Sequence, residues 1–66
     1  MKIILNGEEY ENSDASTVAH LLDAKNVHGG RIAVMINDAI IRKDCFVDTQ
    51  ISDGDRVEII HMVGGG

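Results

Sequence analysis

A chain of 66 residues is one small domain, and a domain this size buries only about 60% of the surface its unfolded chain exposes, which leaves little room for an enclosed catalytic cleft. Six Lys and Arg stand against eleven Asp and Glu, a formal net charge of −5, which disfavours nucleic acid or an anionic membrane as partner and suits steering toward a basic protein. The single cysteine, Cys45, can form neither an internal disulfide nor a CxxC site and fits a reducing cytoplasm, and the short apolar run in MKIILNGEEY is far too small for a signal peptide or a membrane span.

With no proline in the chain, glycine and asparagine do the punctuating. Ile3-Ile4-Leu5 running into Asn6-Gly7 predicts a strand and a tight hairpin turn, with Glu8 to Asn12 returning as a polar strand whose one large side chain is Tyr10. Ser13 to Ser16 is turn and cap chemistry. Thr17 to Lys25 predicts the helix: Val18, Leu21 and Leu22 share a face, Ser16 or Thr17 can cap its start, and Asn26 with Gly29-Gly30 stops it.

Arg31 to Ile36 is the strongest predicted strand, with Ile32, Val34 and Ile36 on one side and Arg31, Ala33 and Met35 on the other. Asn37-Asp38 turns the chain into a short strand at Ile40-Ile41. Arg42 to Ser52 is less regular, with Phe46, Val47 and Ile51 as expected anchors. Asp53-Gly54-Asp55 is a turn, and Arg56 to Val63 is the final strand.

This order of strands around one helix resembles the ubiquitin-like β-grasp fold, an α+β class with a mixed sheet of four to five strands and the helix across one face. Its expected core is Ile3, Leu5, Val18, Leu21, Leu22, Ile32, Val34, Ile36, Val57 and Ile59. The domain is expected to span residues 1–63, followed by a flexible tail, Gly64-Gly65-Gly66.

The triglycine is the most informative feature. A carboxylate presented at a chain end can be joined to AMP as a mixed anhydride, and a sulfur nucleophile can then displace the AMP. Glycine has no Cβ, so enclosing walls can approach its backbone closely, and three extended residues reach roughly 10 Å beyond the domain. Strand alternation adds a docking surface. With Val57 and Ile59 inward, Glu58, Ile60 and Met62 face out, and Met35 on a neighbouring strand joins Ile60, Met62 and Val63 as an adaptable partner-binding patch beside the tail.

The residues MKIILNGE, Thr17-Val18, Leu21-Leu22, Ala33 to Asn37, Ile40-Ile41-Arg42, Phe46, Asp53-Gly54-Asp55 and Val63 to Gly66 together resemble the ThiS-type sulfur carriers of thiamine biosynthesis along the whole chain. That resemblance implies a protein cosubstrate without catalytic residues of its own. Gly66 would be the modified residue, first an acyl-adenylate and then a thiocarboxylate. Gly65 would complete the Gly-Gly motif, with Gly64 as spacer. The implied partners are a ThiF-type adenylating enzyme that uses ATP and magnesium, a cysteine-desulfurase sulfur supply, and a thiazole synthase that takes the sulfur. The carrier would bind no cofactor and would be a cytoplasmic monomer when free. A molybdopterin-type carrier, a ubiquitin-like protein modifier and an inert β-grasp binding module are the alternatives.

Other candidates carry less. His20, His28 and His61 have no metal-ligand spacing, so no metal site is expected. Cys45 has no activating neighbour in sequence, Asp53-Gly54-Asp55 is ordinary turn chemistry, and Gly29-Gly30 lacks the Lys and Ser/Thr of a phosphate loop.

Overall fold

The structure, a computed structural model, describes residues 1–11, 16–27 and 31–61. In chain order the elements are β1 (Lys2–Leu5), β2 (Glu8–Glu11), α1 (Val18–Ala24), β3 (Ile32–Ile36), β4 (Ala39–Ile41) and β5 (Arg56–His61), with a 3-10 turn at Lys43–Cys45. The strands form one sheet in the order β2-β1-β5-β3-β4. The last strand therefore sits in the middle, parallel to β1 and antiparallel to β3. This is the β-grasp arrangement expected from the sequence. Asn12 to Ala15, His28 to Gly30 and Met62 to Gly66 lie outside the described residues, as do the predicted strand ends at Asn12 and Val63.

Both hairpins are made by two-residue turns in which both φ angles are positive: Asn6 and Gly7 at +51° and +84°, Asn37 and Asp38 at +50° and +72°. Such turns match the twist of paired strands, and Asn, Asp and Gly tolerate the left-handed backbone that they need. The turn lengths set the registers, Leu5 opposite Glu8 and Ile36 opposite Ala39.

The helix is short and is held at both ends. Thr17 is its N-cap, and its side chain accepts the His20 N–H at 3.2 Å. The Val18 and Ala19 N–H groups donate to the carbonyls of Thr49 and Phe46. The irregular segment after β4 is thus the partner for the helix's first turn, whose N–H groups have no acceptor within the helix. At the other end Asn26 takes φ +61°. The Val27 N–H donates to Leu22 O and the Asn26 N–H to Asp23 O, the bond pair of a Schellman motif.

Val18, Leu21 and Leu22 bury against Ile3, Leu5, Val34, Ile36 and Val57. Ile32 and Ile59, expected in the core, pack against it only partly buried, and Phe46 and Ile51 complete it. Val47, expected as an anchor beside them, is instead 68% exposed. The chain turns through residues 46–48, and such a turn aims only one of two adjacent side chains inward. Here that is Phe46, whose carbonyl is tied to α1.

Thr17 is the one buried polar residue among those described, so removing its hydroxyl loses a cap with no water to replace it. Thr17→Ala is expected to lower stability by about 1 kcal/mol, read as a lower urea midpoint at unchanged slope, with Thr17→Ser recovering most of the loss.

Candidate functional site

The site is built from β5 outward. Val57 is fully buried, and β5 pairs with the whole of β3, from Ile36–Val57 to Ile32–His61. The β1 pairing is shorter and ends at Leu5–Val57. Beyond it Asn6 continues the contact: its N–H donates to Val57 O at 2.9 Å, and its Oδ1 accepts the Ile59 N–H at 2.8 Å. At the opposite end of β5, Asn37 does the same. Its N–H donates to Arg56 O at 2.8 Å and its Oδ1 accepts the Arg56 N–H at 2.9 Å. Each hairpin turn is therefore latched to β5 through an asparagine. The strand that leads to the predicted tail is the most completely held one in the sheet.

Strand alternation splits β5 between two faces. Val57 and Ile59 face α1, whereas Glu58 and Ile60 face away from it. Ile60 is 42% exposed and lies opposite Ala33, while Met35, half-buried, lies between Glu58 on β5 and Ile40 on β4. Ile40 is 73% exposed. The structure thus brings Met35 and Ile60 to one open face of the sheet, as expected from the sequence. Met62, Val63, Gly64, Gly65 and Gly66, the rest of the predicted site, lie outside the described residues.

The sequence reading missed Ile40, although the signal was present. A two-residue turn at Asn37-Asp38 puts Ile36 opposite Ala39 and hence Met35 opposite Ile40, on the face away from the helix. Two of the three large apolar side chains that stand exposed among the described residues, Ile40 and Ile60, share this face; the third is Val47. An open apolar face on a small domain is the usual mark of a protein–protein contact.

The remaining candidates sort as turn and surface groups. Asp53 Oδ1 accepts the Lys2 N–H at 2.7 Å, and Asp55 accepts the Ser52 N–H at 2.8 Å and a hydrogen bond from Asn37 Nδ2 at 3.0 Å, so these carboxylates fasten the turn before β5. His20 contacts Ser16 Oγ at 3.2 Å, Cys45 is exposed, and His28 lies outside the described residues. Among the described residues no three His, Cys, Asp or Glu side chains gather as metal ligands, and no helix is long and apolar enough to cross a membrane. A cleft of about 210 Å³ between β2 and the end of α1, lined by Leu5, Asn6, Tyr10 and Lys25 among others, is smaller than the roughly 300–1,000 Å³ of small-molecule sites.

One helix packed on a five-stranded mixed sheet with its last strand in the middle defines a ubiquitin-like β-grasp protein, and an apolar patch stands open on the outer face of that sheet. The ThiS family model matches residues 3–66. A sulfur carrier protein ThiS of Bacillus subtilis is 33% identical over 63 residues, covering 94% of this chain and 96% of that protein. The crystal structure of a thiamine biosynthesis protein (ThiS) from Geobacter metallireducens superposes with a TM-score of 0.84 at 30% identity and full coverage of both chains. A thiazole synthase of Paramagnetospirillum magneticum is 38% identical over all 66 residues, which span 20% of that enzyme. The chain belongs to the ThiS family of sulfur carrier proteins of thiamine biosynthesis.

If the outer face docks the activating partner, Ile60→Asp and Ile40→Asp should each weaken partner-dependent loading by about tenfold or more, equivalent to ~1.4 kcal/mol, with unchanged thermal melting. Val47→Asp, on the exposed turn, should leave loading unaltered.

Proposed function

We propose that this protein carries sulfur on the carboxyl group of Gly66 and acts as a cosubstrate of partner enzymes, supplying no general base, metal or oxyanion hole itself. The observation that carries the reading is the extent of the family match, which runs through residue 66 and so takes in Gly64, Gly65 and Gly66.

The chemistry follows from what a carboxylate needs. It is a poor electrophile, so an adenylating partner of the ThiF type uses ATP and magnesium to convert it to the acyl-adenylate with release of pyrophosphate. A persulfide sulfur, supplied by a cysteine desulfurase, displaces AMP. A thiol then cleaves the S–S bond and leaves the thiocarboxylate on Gly66. Thiazole synthase takes that sulfur, and the carrier returns as the carboxylate. The similarity of this whole chain to one fifth of a thiazole synthase supports that enzyme class as a partner, since it places a ThiS-like segment and the synthase in one polypeptide.

The fold supports the division of labour. From His61, the last described residue of β5, five residues lead to Gly66, and fully extended they span about 17 Å. That length lets the reacting end enter a partner's active site while the domain stays outside on its apolar face. The net charge of −5 suits a basic docking surface on the partner. A cytoplasmic setting agrees with the one exposed thiol at Cys45, which persists reduced there.

Incubation with ATP, magnesium, the adenylating partner and a persulfide source is expected to raise the intact mass by the difference between one sulfur and one oxygen atom. Deleting Gly66 should abolish that shift while leaving the melting curve in place. An isopeptide conjugate on lysine would mark a protein modifier instead, and absence of any shift would mark an inert binding module.

A further inference from the structure

We propose that Asn6 is a positioning residue for the loaded chain end: its side-chain amide extends the β1–β5 ladder one rung past the end of β1 and fixes the line along which β5 leaves the sheet. The inference rests on the carrier reading for its functional half and on geometry alone for its structural half.

The β1–β5 register stops at Leu5–Val57, because the chain turns away at Asn6-Gly7. No β1 residue lies opposite Ile59, whose N–H points toward the side that β1 has vacated. Asn6 Oδ1 fills that position at 2.8 Å, across a separation of 53 residues. The oxygen, and not the amide nitrogen, must face Ile59, since two donors cannot pair. On its other side β5 keeps β3, with Val34 opposite Ile59 and Ile32 opposite His61. Without the Asn6 rung, the last turn-side contact before the tail would be at Val57, and Ile59 to His61 would hang from one neighbour.

A hairpin turn explains Asn6 only in part. Asn-Gly is a favoured pair where both residues need positive φ, and Asn6 has φ +51°. Glycine meets that backbone demand at least as well. The turn alone therefore asks nothing of the side chain, while the bond to Ile59 asks for an acceptor at its γ position. Asn and Asp have one; Gly does not.

Orientation of a reacting group matters steeply, since displacement by about 1 Å can cost on the order of 10²-fold in rate. A strand end held by both neighbours leaves the sheet along one direction, and a frayed one samples many. Asn6 itself lies outside the docking face at Met35, Ile40 and Ile60, but Ile60 follows Ile59 on the strand end that the rung holds, so loss of the rung should lower kcat/KM for the step at Gly66.

The test compares the full-length wild type with Asn6→Gly, which keeps the turn and removes the acceptor, and Asn6→Asp, which keeps both. In the free proteins, amide hydrogen exchange at Ile59 should be protected in wild type and Asn6→Asp and at least tenfold faster in Asn6→Gly. In steady-state loading by the adenylating partner, Asn6→Gly should lower kcat/KM about tenfold, and Asn6→Asp should restore most of it. Equal Ile59 exchange in all three proteins overturns the rung. Loading of Asn6→Gly at the wild-type kcat/KM, or equal slowing by Gly and Asp, overturns the positioning role. Failure of the wild type itself to load contradicts the carrier reading instead, and the exchange data still decide the rung.

Discussion

The fold turns on one constraint: β5, the last strand in the sequence, lies between β1 and β3. Parallel pairing with β1 cannot be reached by a tight turn, so the chain must cross over between them. The intervening helix and the β3–β4 hairpin occupy that crossover. Burial follows from the same placement. Val57, completely enclosed, is flanked by the inward residues of both neighbouring strands and covered by Val18, Leu21 and Leu22 of α1. The irregular segment from Arg42 to Ser52 returns the chain to the middle of the sheet and, on the way, supplies acceptors for the first turn of α1. A thin core is enough because the strand that matters most has a neighbour on each side.

The proposed function depends on where that strand leads. Here the carboxylates that the turns hold are occupied by backbone N–H groups, and every buried side-chain nitrogen or oxygen among the described residues has a hydrogen-bond partner. The protein instead combines an anchored strand, a glycine-ended sequence after it and an apolar face beside it. In the proposed role that combination separates recognition, at the face of Met35, Ile40 and Ile60, from chemistry at the chain end. Membership of the ThiS family fits this separation.

Much of this was legible in the sequence, and the exceptions have physical causes. Local periodicity marked both hairpins, the helix face and the alternation along β3 and β5, because those signals depend on near neighbours. Of the three anchors expected between Arg42 and Ser52, Phe46 and Ile51 are buried and Val47 is not, because an irregular segment has no period from which to read its inward side. Ile40 could have been placed on the docking face by counting through the Asn37-Asp38 turn. The two asparagine latches were beyond such reading. Each turn residue announces itself as a turn former, but its side-chain partner lies 53 residues away for Asn6 and 19 for Asn37, and only the sheet order brings them together.

In the proposed function sulfur travels on the chain end and not on the protein's one thiol. Cys45 is exposed, and a persulfide on it is the direct chemical competitor. Tryptic cleavage after Arg56 places Gly66 on the peptide Val57–Gly66, and cleavage after Lys43 places Cys45 on Asp44–Arg56. Mass spectrometry of the loaded protein should find one oxygen replaced by sulfur in Val57–Gly66 and no change in Asp44–Arg56. A whole added sulfur atom on Asp44–Arg56, with Val57–Gly66 unaltered, would contradict the account.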